Sequence, residues 1–185
     1  MLLPNAAARL DGFLAIARAQ LAAARVAHFD ETGGRVAGKL HWIHVACNDI
    51  WTLLHLDRKH GRVAMDAAGV LPGFRGTAIH DGLAPYHQYN QALHGLCNAH
   101  HLRELAGITE QTSQAWPTRP AELLIELHVT VQITKANGKN KLPARPLAAL
   151  SKRYDALIRQ GKKLNPPPAR TGKRGRPALA PIPFS

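Results

Sequence analysis

Two aspartates in this sequence have local settings that suit metal-bound carboxylates. Asp30 follows the apolar run 26–29, and Asp81 follows the run 77–80. Each run predicts a short buried strand that stops on a carboxylate and turns at a nearby glycine. Functional sites collect at such strand ends in α/β sheets, and two neighbouring carboxylates can hold divalent ions for phosphoryl transfer. The alternative is a pair of surface aspartates in ordinary turns.

The elements that must position these aspartates predict an α/β fold. Apolar runs and turn signals indicate three strands in a meander, then a helix, a strand, a connection and a fifth strand, so a mixed sheet flanked by helices is expected. The chain should leave the first strand at Gly33-Gly34. The expected strands are 26–30, 40–47, 51–56, 76–80 and 92–96, and the expected helices are 6–24, 59–68, 98–108, 121–133 and 146–158.

The positive charge is concentrated in the last part of the chain. The net charge is +12, yet residues 1–134 hold 11 basic and 11 acidic side chains. Residues 135–185 hold 13 basic side chains and one acid, Asp155. A neutral body with a cationic end favours a polyanionic partner, DNA or RNA, since cationic clusters bind phosphates by releasing counterions. A solvated tail without a partner is the alternative reading.

Composition excludes several classes of protein. Apolar residues make up 45% of the sequence, enough for a core, but no apolar run approaches the ~18 residues of a membrane span. The first residues lack a basic region followed by an apolar block, so a signal peptide is not expected. Two cysteines, Cys47 and Cys97, provide no disulfide framework, which favours a cytoplasmic location without membrane association.

A second group of candidate residues follows the fifth expected strand. Cys97 and His100 have the spacing of zinc ligands, but Cys47 is the only other cysteine and no second ligand pair completes a four-ligand site. On a helix, His100, Arg103 and Glu104 share a face. That face is predicted either to contact DNA phosphate or to support metal ligands, with a surface salt bridge as the alternative.

Two weaker patterns occur elsewhere in the sequence. Tyr86 and Tyr89 either line a substrate groove or pack as half-buried side chains. Lys173, Arg174 and Arg176 lie in a stretch similar to a minor-groove hook, within a proline-rich and basic tail that is expected to be disordered.

Five segments, taken in order and with their gaps, resemble the catalytic core of bacterial transposases of the insertion sequence 66 family. The resemblance covers roughly residues 20 to 177. The segments are His28-Phe29-Asp30-Glu31-Thr32-Gly33; 38–46; 59–72, which includes Lys59-His60-Gly61-Arg62; His80-Asp81-Gly82 with Pro85-Tyr86; and Cys97-Asn98-Ala99-His100-His101-Leu102-Arg103-Glu104-Leu105.

The resemblance implies a ribonuclease-H-like fold and a triad of two aspartates and a glutamate. Asp30 and Asp81 would be its first two carboxylates, catalytic and metal-binding, with Mg²⁺ or Mn²⁺ as the cofactor. The implied reaction is metal-dependent cleavage and transfer of DNA strands. DNA, as transposon ends and target, is the implied partner, together with a second copy of the chain or an intact transposase. His100, Arg103 and the tail residues Lys173, Arg174 and Arg176 are the expected nucleic-acid contacts.

The sequence departs from the family pattern in its second half. The family's third acid lies in a motif of the type Asp-Asn-Asn-x-x-Glu-Arg, which this sequence lacks, and Glu104 is only a weak substitute. We therefore expect a core fragment, truncated at both ends and inactive alone. Three parts are expected: a core at 1–110, a helical segment at 111–164 and a tail at 165–185. A non-catalytic remnant that binds DNA or an intact transposase is the alternative.

Overall fold

The computed structural model describes residues 3–167. The chain divides into two compact units, the first running from Met1 to His100 and the second beginning at His101. None of the helices within residues 3–167 has the length and apolar character needed to cross a membrane.

The first unit is an α/β arrangement built on a five-stranded sheet. Its helices are α1 (Leu3–Ala22) and α2 (Arg62–Ala68), with short 3₁₀ turns at Leu71–Gly73 and Ala84–Gln88. Its strands are β1 (Val26–Val36), β2 (Lys39–Cys47), β3 (Thr52–Asp57), β4 (Thr77–His80) and β5 (Leu93–Leu96). Helix α3 (Asn98–Thr112) begins at the end of this unit.

The sheet is mixed, as the sequence predicts. Its strand order is β3-β2-β1-β4-β5. The pairs β1–β2 and β2–β3 are antiparallel and form the expected meander, whereas β1–β4 and β4–β5 are parallel. The parallel pairs require longer crossovers, which α2 and the 3₁₀ turns supply. The predicted α/β class and sheet type are therefore confirmed.

The first strand is longer than the sequence indicated. It does not end at Asp30 and turn at Gly33-Gly34 but continues to Val36, so that expectation was wrong. The turn is the two-residue loop Ala37-Gly38, with φ of 49° and 77°. Positive φ at both residues of a two-residue turn matches the twist of the two strands. The hairpin therefore turns here and not at Gly33-Gly34.

One face of the sheet carries the core of the first unit. Alternate residues of the strands point to this core face, and α1 and α2 supply the residues that cover it. The buried cluster includes Leu21, Ala27, Phe29, Ala46, Leu53, Met65, Phe74 and Ala78. Phe29 meets Phe74 edge to face, with ring centroids 5.3 Å apart. The core face thus fixes β1 and β4 relative to the helices.

The opposite face of the sheet is much more exposed. Val26, Leu54, Leu56 and Leu93 remain about half exposed or more. Asp30 belongs to this open face because it pairs with Val45, one residue out of phase with the buried Phe29–Ala46 pair. The alternation therefore places Asp30 on the opposite face from the core.

Helix α2 begins later than expected. The pattern predicts a helix from residue 59, but Gly61 has φ of 87° and ψ of −158°, which no helical residue adopts. Gly69 ends the helix in the left-handed conformation, as a glycine C-cap does.

The second unit, within the described residues, consists of helices. It holds most of α3, then α4 (Thr118–Ala136) and α5 (Ala144–Leu164), and the last two are longer than predicted. Arg153 of α5 donates two hydrogen bonds to the Glu126 carboxylate of α4, at 2.6 and 2.7 Å. The expected tail begins at residue 165, and its part from residue 168 onward lies outside the described residues.

Candidate metal and nucleic-acid site

The strands that carry Asp30 and Asp81 are hydrogen-bonded neighbours. In the parallel β1–β4 ladder, His28 pairs with Ile79. Asp30 and Asp81 each lie two residues after this pair along their chains, and Asp81 directly follows β4. Neighbouring strands are about 4.8 Å apart. The backbone therefore brings the two aspartates to the same place in the sheet.

Each aspartate has one oxygen held by the local backbone. Asp30 Oδ1 accepts the Glu31 N–H at 2.9 Å, and Asp81 Oδ1 accepts the Leu83 N–H at 2.8 Å. Gly82, between Asp81 and Leu83, has φ of 95°, a conformation that favours glycine. Within the described residues, neither Oδ2 atom accepts a hydrogen bond. Both carboxylates are exposed and keep an oxygen available for a ligand.

The first turn of α3 brings a histidine to Asp30. His100 Nε2 lies 3.8 Å from Asp30 Oδ1, and the His100 side chain is largely buried. Its Nδ1 is buried with no hydrogen-bond partner among the described residues. His100 thus lies beside one of the two carboxylates that are predicted to bind a metal ion.

The other residues of the predicted helix face are exposed. Glu104 is 69% exposed at its side chain and lies 3.5 Å from His101 Nδ1, which agrees with a surface pair three residues apart. Arg103 is exposed too. Within residues 9–167, Cys97 and His100 join no group of three side chains spaced for a metal ion. The zinc alternative centred on Cys97 thus gains no ligand.

Glu31, beside Asp30, faces the core instead of solvent. Its side chain is only 6% exposed, and its carboxylate accepts a hydrogen bond from the Tyr86 hydroxyl. His60 Nε2 lies 3.4 Å from the other carboxylate oxygen. The pKa of Tyr86 is raised, mainly by burial and to a lesser extent by the hydrogen bond to Glu31. Alternation along β1 predicts this separation from Asp30, because adjacent strand residues point to opposite faces.

Tyr86 and Tyr89 are packing residues. Each is 2% exposed, which agrees with the packing alternative. The Tyr89 hydroxyl donates to Asp66 Oδ1 at 2.7 Å, and burial followed by this bond raises the pKa of Tyr89. The two tyrosines anchor the segment after Asp81 to β1 and α2.

Three histidines that no sequence pattern assigns to a site lie together at β4, the following 3₁₀ turn and β5. They are His80 at the end of β4, His87 in the 3₁₀ turn and His94 in β5, and we call them the histidine trio. His80 is fully buried, whereas the other two are exposed. Burial, and then the neighbouring His94 and His87, lower the pKa of His80 to about 4. Their seven-residue spacing is the one sequence signal that could have found them.

The cationic residues divide between described and undescribed parts of the chain. Lys173, Arg174 and Arg176 lie outside the described residues. Helix α5 is described, and its basic side chains are exposed. They are Arg145, Lys152, Arg153, Arg159, Lys162 and Lys163.

Comparison with known proteins identifies a family and gives a structural neighbour among the solved structures. The sequence matches the family model described as "Transposase IS66 family" over residues 2–173. None of the curated proteins matches it. A simian T-cell lymphotropic virus intasome, solved by cryo-electron microscopy in complex with PP2A regulatory subunit B56 gamma, contains a similar chain. The similarity has a TM-score of 0.34 and 13% identity, and it covers 87% of this chain and 58% of that chain.

Proposed function

Because the chain belongs to the IS66 family of transposases, we propose that it is a catalytic-core fragment for DNA transposition with a ribonuclease-H-like fold. The observation that carries the proposal is the parallel pairing of β1 with β4, because Asp30 and Asp81 each follow its last pair, His28–Ile79, by two residues. The mixed sheet, with a meander joined to two parallel strands, supports the fold assignment.

The two aspartates fit a divalent ion of the Mg²⁺ or Mn²⁺ class. Such ions prefer oxygen ligands and usually take one or two carboxylates from the protein while keeping several waters. Asp30 and Asp81 are exposed, and each has an Oδ2 atom that accepts no hydrogen bond within the described residues. When bound, such ions activate a water or a 3′-hydroxyl and stabilise the leaving oxygen of a phosphodiester.

The residues around the aspartates have distinct proposed roles. The Glu31 and Leu83 amides hold one oxygen of each carboxylate, which orients the other. His100 is a positioning residue for Asp30, at 3.8 Å from Oδ1. Glu31 itself anchors the segment after Asp81 through Tyr86 on the core face. DNA, and a second copy or an intact transposase, are the proposed partners.

We further propose that this chain alone does not cut DNA. Its sequence has no Asp-Asn-Asn-x-x-Glu-Arg motif to supply the third acid, and Glu104 is a surface residue paired with His101. By analogy with an oxyanion-hole donor, whose removal typically costs ~10²–10³ in rate, the missing metal ligand should lower the rate at least as much.

Metal binding tests the site. Calorimetric titration with Mn²⁺ should give weak binding to the wild type and clearly weaker binding to Asp30→Asn and Asp81→Asn. Asp49→Asn is the matched control, since Asp49 is an exposed aspartate in the β2–β3 turn. Equal Mn²⁺ affinity in Asp30→Asn and the wild type would remove Asp30 from the site.

Strand cleavage tests the inactivity. A labelled duplex with a transposon end should stay uncut with Mn²⁺ and the purified chain, as it should with Asp81→Ala. If the wild type cuts and Asp81→Ala does not, a third ligand exists within these 185 residues, and Glu104 becomes the first residue to test.

A non-catalytic DNA-binding or transposase-interacting role is the second candidate. The six exposed cations of α5 favour it, because they lie outside the first unit, which holds both aspartates. Duplex binding that survives Asp30→Asn and Asp81→Asn, together with no metal dependence, would support this role over catalysis.

A further inference from the structure

The histidine trio has the dimensions of a three-ligand transition-metal site. The ring centroids of His80, His87 and His94 are 5.2 to 5.3 Å apart in all three pairs. One ring nitrogen from each histidine lies within 4.8 Å of the other two. A zinc ion about 2.0–2.1 Å from each nitrogen, with tetrahedral angles, would place the ring centres about 5.2 Å apart. The observed triangle of rings therefore needs little rearrangement to surround one ion.

We propose that His80, His87 and His94 bind a divalent zinc-class ion, separate from the magnesium-class ion proposed for Asp30 and Asp81. Imidazole nitrogens suit Zn²⁺ and its neighbours in the transition series, whereas carboxylate oxygens suit Mg²⁺ and Mn²⁺. The trio offers three nitrogens and leaves a fourth position for water or another ligand. The two sites thus differ in the ion that they select.

The strand pattern keeps the two sets of ligands apart. His80 precedes Asp81 directly, but it belongs to the core face, because Ala78 pairs with the buried Ala27 and residues alternate along β4. Asp30 belongs to the open face. His87 and His94 are exposed, which gives an ion a way in, while the buried His80 supplies a fixed ligand at the bottom of the cluster.

The hydrogen bonds of the trio indicate which ring nitrogens would bind the ion. Gly82 N–H donates to His80 Nδ1 at 3.0 Å, so the proton of neutral His80 is on Nε2 and points to His94 Nδ1 at 3.0 Å. His94 Nε2–H in turn donates to the Tyr89 carbonyl at 3.3 Å. His94 therefore already directs the lone pair of Nδ1 into the cluster, with its other nitrogen held by the backbone, as metal-binding histidines usually are.

Coordination of His80 would disturb the turn that carries Asp81. When Nε2 binds the ion, the remaining proton of the ring moves to Nδ1, where it faces the Gly82 N–H. The Gly82 amide then loses its acceptor and has to shift. Zinc at the histidine trio is thereby linked to the conformation at Asp81, a consequence that a site made of surface histidines would not have.

Zinc titration of untagged protein tests the proposal. The titration uses the Asp30→Asn/Asp81→Asn background, so that zinc at the carboxylates does not contribute and failure of the transposase site leaves the test intact. We expect about one Zn²⁺ per chain, at least about tenfold weaker binding in His87→Ala and in His94→Gln, and no site for Mg²⁺. His128→Ala is the matched control, because His128 is an exposed histidine of α4.

Two further measurements make the outcome decisive. His87 makes no hydrogen bond among the described residues, so His87→Ala should keep the wild-type melting temperature without zinc. Zinc should raise the melting temperature of the parent and not that of His87→Ala. The Gly82 amide resonance should move as zinc is added. Unchanged zinc affinity in both His87→Ala and His94→Gln would overturn the site.

Discussion

At the scale of single residues, the adjacent acids Asp30 and Glu31 lie in opposite environments. Asp30 is 53% exposed and free to take a ligand, whereas Glu31 is buried and bonded to Tyr86. Burying a carboxylate is costly unless its oxygens are bonded. The Tyr86 hydroxyl is therefore expected to matter more for stability than for chemistry.

Tyr86→Phe should lower the free energy of unfolding by about 1–3 kcal/mol, because it leaves the Glu31 carboxylate buried and short of a donor. Tyr154→Phe is the control, since Tyr154 is 45% exposed, and it should change stability by less than about 0.5 kcal/mol. Urea unfolding gives both values. Equal stability of the two variants would contradict a structural role for the Glu31–Tyr86 pair.

Residue types alone single out Asp30 and Asp81 as candidates, since carboxylates after apolar runs are a visible pattern. For the histidine trio the sequence offers only the seven-residue spacing, which does not predict a cluster by itself. His80, His87 and His94 belong to a strand, a turn and a second strand, and only the parallel β4–β5 pairing brings them together. That pairing depends on long-range contacts that no local window of sequence contains.

At the scale of elements, the start of the β1–β4 ladder sets the relative position of the two aspartates. Thr77 N–H donates to the Arg25 carbonyl at 2.9 Å, where the two strands begin to pair. Gly76 precedes this contact, and a Cβ built there would lie 2.4 Å from the Ala24 carbonyl oxygen and 2.6 Å from that of Arg25. Glycine is required at position 76 because a Cβ atom would clash with backbone atoms, which cannot move aside as a flexible side chain can.

Gly76→Ala should therefore destabilise the chain by about 1–3 kcal/mol or more, because two strands must move apart. It should also weaken Mn²⁺ binding at Asp30 and Asp81 if the proposed site is correct. Gly34→Ala is the control within β1, where a Cβ would meet nothing within 4 Å. Thermal unfolding of the two variants measures the effect, and similar melting temperatures would show that the strands tolerate the added methyl group.

The contact between α4 and α5 makes a pH-dependent prediction. The Arg153 guanidinium lowers the pKa of Glu126 below its usual range through two hydrogen bonds. A carboxylate with a lowered pKa stabilises the folded state above its ordinary pKa, and that contribution disappears as the pH falls through the folded value.

Glu126→Gln should accordingly lower the melting temperature slightly at pH 7, and this difference should disappear as the pH falls through the folded pKa of Glu126. The effect should be small, since the pair is exposed to solvent and salt. Glu122→Gln is the control, because Glu122 belongs to the same helix and has no ion-pair partner among the described residues. A difference between Glu126→Gln and the wild type that stays constant as the pH is lowered would point to packing instead of charge.

Element boundaries were harder to predict than element types. The three-strand meander, the parallel strands and the helices all occur where the apolar patterns indicate them. The end of β1 was misplaced because Gly33 and Gly34 resemble a turn, yet Gly33 sits within the ladder opposite Trp42. A Cβ at Gly33 would lie 3.4 Å from Leu40 and 3.7 Å from Trp42, so large cross-strand side chains occupy the space above it.

At the scale of the whole molecule, the net positive charge lies in a later part of the chain than Asp30 and Asp81. Residues 1–134 are neutral in sum, and the excess of +12 follows them. We predict that nucleic-acid binding depends on this later part. Deleting residues 165–185 removes Arg170, Lys173, Arg174 and Arg176. The slope of log affinity against log salt should then flatten by roughly 0.9 for each phosphate of duplex DNA that the shortened chain no longer neutralises.

Fluorescence anisotropy at several salt concentrations measures this slope. The control replaces Lys152 and Arg159 of α5 by glutamine in the full-length chain, which separates the helix from the tail. If the deletion leaves the slope unchanged while the α5 variant flattens it, the helix binds the phosphates and the expectation for the tail is wrong.

The alternation of Asp30 and Glu31 along β1 also restricts which changes in length the gene can tolerate. A one-residue deletion early in β1 would shift the register of the strand against its neighbours and exchange the faces, so that Asp30 would be driven into the core and Glu31 out of it. The Ala37-Gly38 turn follows both acids in the sequence. An insertion there would leave Asp30 and Glu31 on their present faces. Among descendants of this sequence, in-frame insertions and deletions should therefore be more frequent at the Ala37-Gly38 turn than in the part of β1 before it.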